Sequence, residues 1–406
     1  MAKNQRRKIK SKLIYKSFTK LSDINFDVNL KANSFFNGFP LPPFVSWTIN
    51  IDRINSFNRN ILQANQHIVW IGKDDIIQFL ASFYTESPSI QTNYDYRFCS
   101  SSHPEYLFKL GQSADQLNTV FVVLGRTLDE LDLIKLVMML NQGKKVFVGP
   151  EVGIMSEFAR LLFFPFYPVE TENCRFWHHS ELLYLPLYTM NLPIKDLVEG
   201  CEEGFLFCKD EAMSTAQIVF QIQTKGIQRL YFVVDSYPVY ALLRALEPLL
   251  EESLNGEGAG FQIKILTLES LKSNYLEPIL SCNDKDLFFI LNQSKSSQEL
   301  QSPINFPLKV KEDSYLGKEL QFLDKRSFSD YDLATIKALQ YQVKKNESSF
   351  IHLQYPRNDL HTLGLLVAYF YYFACYSSWL REYDVLNDPP YAEFDHLIRK
   401  FIKKPI

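Results

Sequence analysis

The chain has 406 residues, a formal net charge of −3, 46% hydrophobic and 22% charged residues, and an aromatic share of 15%. This much apolar surface with so small a net charge excludes a disordered chain, a collagen-like fibre and a strongly basic nucleic-acid-binding protein. The length suffices for two or three domains. Six cysteines are spread along the chain without a C-x-x-C pair, which favours a reduced, cytoplasmic setting.

The first 20 residues form a basic segment that contains eight Lys or Arg residues and no acidic residue. It lacks the apolar run and cleavage site of a secretory signal, so we expect no secretion. Contact with nucleic acid or anionic lipid is one interpretation of this arm. We favour a solvated, disordered tail with no nucleic-acid partner, because short charged chain ends are usually of that kind.

Short apolar segments alternate with helical patterns along the rest of the chain. The helical patterns cover residues 129–141 and 331–345. Strands are predicted at His67–Ile71, Thr119–Leu124, Lys144–Val148, Leu230–Val234, Ile263–Leu266, Leu287–Leu291 and Ser349–Gln354. This βαβ rhythm predicts an α/β fold built on parallel sheets.

The alternation of strand and helix patterns is interrupted near residues 199–210, which indicates two α/β domains. Residues 293–314 are predicted to form a loop at the margin of the second domain. We therefore divide the chain into a basic tail (1–20), a first domain (21–204), a second domain (205–345) and a C-terminal strand with a helical arm (346–406).

One segment is long enough to cross a bilayer. Leu360–Leu380 has 21 residues and no Asp, Glu, Lys or Arg. Its seven Tyr, Phe and Trp residues are scattered rather than gathered at the two ends, and Thr, Ser and His interrupt it. We interpret it as a buried core helix, and we expect no membrane partner.

Common catalytic and metal-binding signatures are absent from the sequence, among them the phosphate-binding P-loop, the dinucleotide fingerprint, H-E-x-x-H and G-x-S-x-G. His178 and His179 are adjacent, so on a helix they would point about 100° apart and could not both bind one metal ion. Cys201 and Cys208 have no histidine nearby in sequence, and we interpret them as buried thiols.

Several blocks of residues form a recognisable series along the chain. The segment LLEESLNGEGAG contains Glu252 and Ser253, and Asp235-Ser236-Tyr237 precedes it. Further blocks are Asn173-Cys174-Arg175-Phe176 with Ser180 and Pro186, then Ile194–Gly200, Val123–Asp132 and Thr362-Leu363-Gly364. In their order these blocks resemble the glucose-6-phosphate isomerase family of the short bacterial type, whose E-S-x-G-K-x-G-x-G is similar to the segment with Glu252. Together they run from about residue 65 to the C-terminus.

The resemblance implies two sugar isomerase (SIS) type domains, each a three-layer domain with a parallel sheet between helices, closed by a C-terminal helical arm. It also implies a homodimer and no cofactor. Glu252 stands where the family's base moves a proton between C1 and C2, and Arg175 where an arginine stabilises the enediol. Thr127 and Arg126 fall in the loop that holds the substrate phosphate.

Other positions depart from the family pattern. The histidine that assists ring opening aligns with Ser273, which cannot titrate near neutral pH. The C-terminal lysine aligns with Asp395, or with His396 if the register shifts by one. Asp74 and Glu130 take the places of phosphate-binding hydroxyls. A carboxylate about 4 Å from a phosphate charge costs on the order of 4 kcal/mol per pair at an effective dielectric near 20, so the pocket is expected to repel sugar phosphates.

Three hypotheses remain open. The first is a family member that has lost catalysis and acts as a binding or regulatory protein. The second is an active aldose-ketose isomerase that uses Glu252 as base and Arg175 as electrostatic clamp, on glucose 6-phosphate or a related sugar. The third is a Mg²⁺ site formed by Asp74, Asp129, Glu130 and Asp132, although solvated carboxylates are the simpler interpretation and we predict no metal.

A histidine lent across the dimer interface is a further feature of the resembled family. His179 and His361 are the two candidates for it in this chain.

Overall fold

The computed structural model describes residues 14–18, 42–62, 66–86, 94–113, 118–127, 130–140, 142–169, 174–255, 260–274, 282–294, 328–386 and 400. The strands are β1 (Ile14–Phe18), β2 (His67–Gly72), β3 (Asp95–Ser100), β4 (Thr119–Leu124), β5 (Lys144–Pro150), β6 (Phe166–Val169), β7 (Arg229–Val234), β8 (Gln262–Thr267), β9 (Asp286–Gln293) and β10 (Ser349–Tyr355).

The helices are α1 (Ile51–Phe57), α2 (Asp74–Glu86), α3 (Pro104–Ser113), α4 (Leu131–Met138), α5 (Ile154–Leu161), α6 (Glu181–Thr189), α7 (Ile194–Phe207), α8 (Lys209–Thr224), α9 (Tyr237–Asn255), α10 (Leu268–Asn274), α11 (Phe328–Lys345) and α12 (Leu360–Trp379). A short 3₁₀ segment, Cys174–His179, precedes α6.

The chain folds into two compact units. The larger unit comprises Asn25–Gln223, Tyr237–Gly260 and Asp359–Ile406, and the smaller unit comprises Met1–Ile24, Thr224–Ser236 and Phe261–Asn358. Each unit is therefore assembled from separate stretches of chain. The continuous domain boundaries suggested by the sequence stay a prediction.

The larger unit contains a five-stranded sheet in the order β3-β2-β4-β5-β6, in which every neighbouring pair is parallel. All six residues of β4 are buried, as expected for a central strand covered on both faces. The chain passes from β2 outward to β3 and then returns to the other side of β2 with β4. The carboxyl ends of β2 and β4 therefore flank the switch point where open α/β sheets bind ligands.

The smaller unit contains the second sheet, in the order β1-β10-β9-β7-β8. Its strands are parallel except for β1, which pairs antiparallel with the edge of β10. The basic segment expected to be a disordered tail thus includes a strand, because backbone groups at the free edge of β10 can pair with it whatever its side chains.

A buried carboxyl group lies at the carboxyl end of β7 in the smaller unit. Asp235 accepts hydrogen bonds from the Tyr355 hydroxyl and, at 2.7 Å, from the N–H of Gln293. Burial raises the pKa of Asp235 to about 6, although these hydrogen bonds act in the opposite direction. The side chain consequently holds a proton under mildly acidic conditions.

Helix α12 lies in the core of the larger unit. All of its residues from Thr362 to Trp379 are buried, which confirms the core helix predicted for residues 360–380. Glycines bring α7 and α12 close together. A Cβ atom added to Gly200 would lie 2.0 Å from the backbone oxygen of His361, and one added to Gly364 would lie 2.3 Å from the oxygen of Leu197.

No helix within the described ranges combines the length and the apolar character needed to cross a membrane.

The seven strands predicted from the sequence are confirmed, with bounds that differ by two residues at most. The helix predicted over residues 129–141 is shorter, since α4 spans Leu131–Met138. Strands β1, β3 and β6 were not predicted. β3 and β6 lie at the two edges of their sheet, where charged residues such as Asp95 and Arg97, or Pro168, are tolerated and weaken the apolar pattern.

Candidate functional site

The loop between β4 and α4 wraps around the carboxylate of Glu130. The backbone N–H groups of Arg126 and Thr127 each donate a hydrogen bond of 3.0 Å to Glu130 Oε1. The Glu130 side chain is completely buried. Two adjacent amides that converge on one oxygen form an anion-binding cradle, and here the anion belongs to the same chain. We refer to residues 125–127 together with Glu130 as the cradle loop.

Lys73, which directly follows β2, supplies the cation beside this carboxylate. Its Nζ atom lies 3.4 Å from Glu130 Oε2 and 2.5 Å from Asp132 Oδ2. Burial of Lys73 works to lower its pKa, but the attraction of Glu130 and Asp132 outweighs burial and raises the pKa. Lys73 therefore remains positively charged and balances the buried carboxylate.

Arg126 points its guanidinium group at Asp75, with which it forms an ion pair. Asp74, the residue that the sequence comparison aligned with a phosphate-binding serine, instead accepts a hydrogen bond of 2.9 Å from the Ser102 hydroxyl. Sequence reasoning missed both Lys73 and Asp75, although their position just after a predicted strand was a usable signal.

The carboxylates considered for Mg²⁺ do not form a common site. Glu130 binds backbone amides, Asp74 binds Ser102, and Asp132 pairs with Lys73. Asp129 lies outside the described residues. Among the side chains that the structure describes, no group of three or more His, Cys, Asp or Glu is arranged to hold a metal ion. The ammonium group of Lys73 already supplies the positive charge beside Glu130 and Asp132.

Arg175 and Glu252 form an ion pair in the larger unit. Arg175, in the 3₁₀ segment, is buried, and Glu252 projects from α9 with its side chain 25% exposed. One terminal nitrogen of Arg175 donates to Glu252 Oε1, and the other donates to the backbone oxygen of Val385 at 2.8 Å. The structure thus brings together two residues that are 77 positions apart in the sequence.

Tyr383 completes this arrangement and was missed by sequence reasoning. Its hydroxyl donates to Glu252 Oε1 and lies 3.2 Å from the Arg175 nitrogen that contacts Glu252. Burial, followed by the hydrogen bond to Glu252, raises the pKa of Tyr383 to about 12, so the phenol stays protonated. A lone tyrosine after a long helix carries no sequence signal for this role. We refer to Arg175, Glu252 and Tyr383 as the ion-pair triad.

The triad engages one of the two carboxylate oxygens of Glu252. Glu252 Oε1 accepts two hydrogen bonds, whereas Oε2 accepts none from the described residues. A carboxylate oxygen beside a fixed guanidinium group has the components for proton transfer with charge stabilisation. The same two groups also serve each other as counter-ions when no substrate is present.

His178 and His179 are buried and neutral. Burial, with a smaller effect of the Arg126 charge, lowers the pKa of His178 to about 3, and burial lowers the pKa of His179 to about 4. His179 Nδ1 lies 2.7 Å from the Tyr184 hydroxyl, inside its own chain. The His179 ring is therefore directed into the interior of its own chain. His361, the other candidate, pairs with Glu203 at 3.1 Å.

Ser273 and the cysteines behave as ordinary structural residues. Ser273 lies on α10 of the smaller unit and donates its hydroxyl hydrogen to the backbone oxygen of Glu269. Cys201 and Cys208 are buried, and burial raises the pKa of each thiol to about 12. Residues 387–399, with Asp395 and His396, lie outside the described residues.

Comparisons with known proteins give a fold but no close relative. No protein-family model matches the sequence, and no curated protein matches it. Among solved structures, a hypothetical protein from Thermus thermophilus has a TM-score of 0.75 at 13% identity, with 96% of this chain and 100% of that chain covered.

Two enzymes of sugar phosphate metabolism are also similar. A glucose-6-phosphate isomerase from Chlamydia trachomatis has a TM-score of 0.65 at 13% identity, with 86% of this chain and 72% of that chain covered. A tagatose-6-phosphate ketose/aldose isomerase from Escherichia coli has a TM-score of 0.52 at 11% identity, with 82% and 86% covered. The chain therefore has the two-domain, parallel-sheet α/β fold of the SIS-type phosphosugar isomerases.

Proposed function

We propose that this protein is a catalytically impaired relative of the glucose-6-phosphate isomerases that acts as a binding or regulatory protein. The observation that carries the proposal is the buried Glu130 carboxylate in the cradle loop. The loop lies at the switch point of the sheet, and its sequence resembles the phosphate loop of that family. A chain that fills this loop with its own carboxylate has no open place for a phosphate ester.

A phosphate can bind in the cradle loop only if it displaces the Glu130 carboxylate. Hydrogen bonds to a charged group contribute about 1.5–3 kcal/mol each, so the two amide contacts together contribute about 3–6 kcal/mol. A phosphate that enters the loop must first remove them, and also separate Lys73 from Glu130. Since about 1.4 kcal/mol corresponds to a tenfold change in Kd, this competition weakens binding by roughly 10²–10⁴-fold.

The ion-pair triad supports the same conclusion. Arg175 is engaged by Glu252 and by the backbone of Val385, so it would have to leave these partners to stabilise an enediolate. Ser273, at the aligned position of the ring-opening histidine, lies on α10 and bonds locally. A serine hydroxyl at this position does not titrate near neutral pH and cannot carry the proton for ring opening as an imidazole does.

An active aldose-ketose isomerase is the second candidate function. It is favoured by one specific observation, namely that Glu252 keeps a free oxygen next to the guanidinium group of Arg175. In this alternative, Glu252 Oε2 takes the proton from the substrate carbon, and Arg175 stabilises the developing negative charge.

A coupled assay with glucose 6-phosphate and fructose 6-phosphate tests the proposal. We expect no turnover above background for the wild-type chain, and no binding of either ester by calorimetry. The Glu130→Ala variant is expected to bind inorganic phosphate, because the two amides then lack an acceptor and Lys73 keeps only Asp132 as a partner. Glu105→Ala, which removes an exposed acid from the first turn of α3, is the matched control and is expected to behave like the wild type.

Wild-type turnover that Glu252→Gln abolishes would establish the alternative instead. If the wild type binds inorganic phosphate as tightly as Glu130→Ala does, the cradle loop is not closed by its own carboxylate.

A further inference from the structure

A cavity open to solvent lies in the larger unit, lined by residues that take no part in the ion-pair triad or the cradle loop. Its volume is about 640 Å³, within the range of about 300–1,000 Å³ that is usual for small-molecule sites. The segment before α1, α1 itself, the end of α6 and the start of α7 form its walls. The lining residues are Thr48, Ile49, Asn50, Ile51, Asp52, Asn55, Tyr188 and Lys195.

The cavity carries one negative and one positive side chain. Asp52 belongs to the first turn of α1, and Lys195 to the first turn of α7. Neither has an ion-pair partner within 4.0 Å in the part of the chain that the structure describes, so they are not paired with each other. The helix α7 begins after Pro193, whose side chain offers no capping acceptor, and the positive end of the helix dipole adds to the charge of Lys195.

The neutral lining residues supply hydrogen bonds and an apolar wall. Asn50 uses its side-chain oxygen to cap α1 through the N–H of Arg53 at 2.9 Å, which leaves its NH₂ group as a donor. Asn55 and Thr48 add further polar groups. Tyr188 is half-buried and presents an aromatic ring, a combination that binds small polar molecules with an apolar part.

From these observations we infer that the cavity binds a small zwitterion, either a free α-amino acid or a dipeptide. The ligand carboxylate pairs with Lys195 and the ligand ammonium pairs with Asp52, while the amide and hydroxyl groups contact the polar atoms between them. A dianionic sugar phosphate suits the cavity poorly, because Asp52 repels it. The inference is independent of the proposed function, since no lining residue belongs to the triad or the cradle loop.

Saturation-transfer NMR and calorimetry with the full chain test this inference. The probes are glycine, L-serine, L-glutamine and glycylglycine at millimolar concentration, so that the panel separates free amino acids from dipeptides. We expect at least one probe to bind, and Lys195→Met and Asp52→Asn each to weaken that binding by about tenfold, equivalent to roughly 1.4 kcal/mol. Lys225→Met and Asp284→Asn, at exposed positions outside the cavity, are the matched controls.

Ligands that lack one of the two charged groups test which lining residue binds the ammonium group and which binds the carboxylate. N-acetylglycine lacks the ammonium group, so its binding is expected to be weak and insensitive to Asp52→Asn. Glycinamide lacks the carboxylate, so its binding is expected to be insensitive to Lys195→Met. Thermal unfolding of every variant confirms that it is folded. A panel in which no zwitterion binds the wild type, or in which both cavity variants bind as tightly as the wild type, overturns the inference.

Discussion

Replacement of Gly200 by alanine, at the contact between α7 and α12, is expected to destabilise the protein, although helix propensity alone would predict a gain in stability. In an exposed helix, Gly→Ala stabilises by about 1 kcal/mol. In Gly200→Ala the new methyl group would lie 2.0 Å from the backbone oxygen of His361 and 2.8 Å from its carbonyl carbon. Both atoms belong to the backbone of a helix that is buried along most of its length, so no rotamer change can relieve the overlap.

The two helices must therefore move apart, which opens packing elsewhere in the core. Overpacking of a core typically costs about 1–3 kcal/mol, and occasionally more. A contact of 2.0 Å with a backbone oxygen places the cost at the upper end of this range. After the propensity gain of about 1 kcal/mol, we therefore expect Gly200→Ala to lower the free energy of unfolding by about 2 kcal/mol. With an unfolding entropy of about 2.1 cal/mol/K per residue, 1 kcal/mol shifts the midpoint of thermal unfolding of so long a chain by about 1–2 °C, so the midpoint falls by roughly 2–4 °C.

Calorimetry and urea unfolding of the variant provide the measurement, and Gly111→Ala on α3 is the control. The methyl group added at Gly111 would meet Leu140 Cδ2 at 2.7 Å, the end of a flexible side chain that can turn away. We expect this variant to be close to the wild type in stability. If Gly200→Ala is as stable as Gly111→Ala, the close approach of α7 and α12 in the structure is not maintained in solution.

Three further predictions concern single side chains. Burial raises the pKa of Asp235 from 3.8 to about 6 in the folded protein, so the protonated side chain stabilises the folded state. This contribution to the free energy of unfolding is complete below pH about 4 and is lost as the pH rises to about 6. The free energy lost over this range is about 3 kcal/mol. Asp235→Asn is expected to remove this slope from urea midpoints measured across that range, and an unchanged slope would assign the titration elsewhere. Tyr383→Phe removes the hydroxyl that bonds to Glu252 and is expected to cost about 1–2 kcal/mol in urea unfolding, whereas no loss would mean that the hydroxyl is solvated in solution. Phe163 has a φ of 56° and is 94% exposed. Since asparagine tolerates this conformation, Phe163→Asn should raise the free energy of unfolding by about 1 kcal/mol, and a lower stability would contradict a left-handed residue at this position.

The central strands could be predicted from the sequence because burial on both faces leaves nearly continuous apolar runs, as in β4 and β9. The edge strands could not. In β3, Asp95 and Arg97 pair with each other at 2.9 Å, and a strand with one free edge tolerates such polar residues. The strand β1 was not predicted for a different reason, because the basic residues around it are typical of a disordered chain end.

The candidate site was only partly accessible to sequence reasoning. Arg175 and Glu252 were selected through a family resemblance, and no spacing rule relates residues that meet across the fold. Glu130 was expected to repel a phosphate from a hydroxyl position. The structure instead gives it the amides of Arg126 and Thr127, because the start of α4 turns its side chain back into the loop. Tyr383 lacked any motif that could have indicated it.

The carboxylate in the cradle loop also determines what this region can sense. A loop completed by a diffusible anion is ordered only when that anion is abundant, and its shape then reports a metabolite concentration. Here the anion is tethered three or four residues from the amides that hold it, so its effective concentration is fixed and high. We therefore expect the loop to keep this closed arrangement whether or not a soluble anion is present.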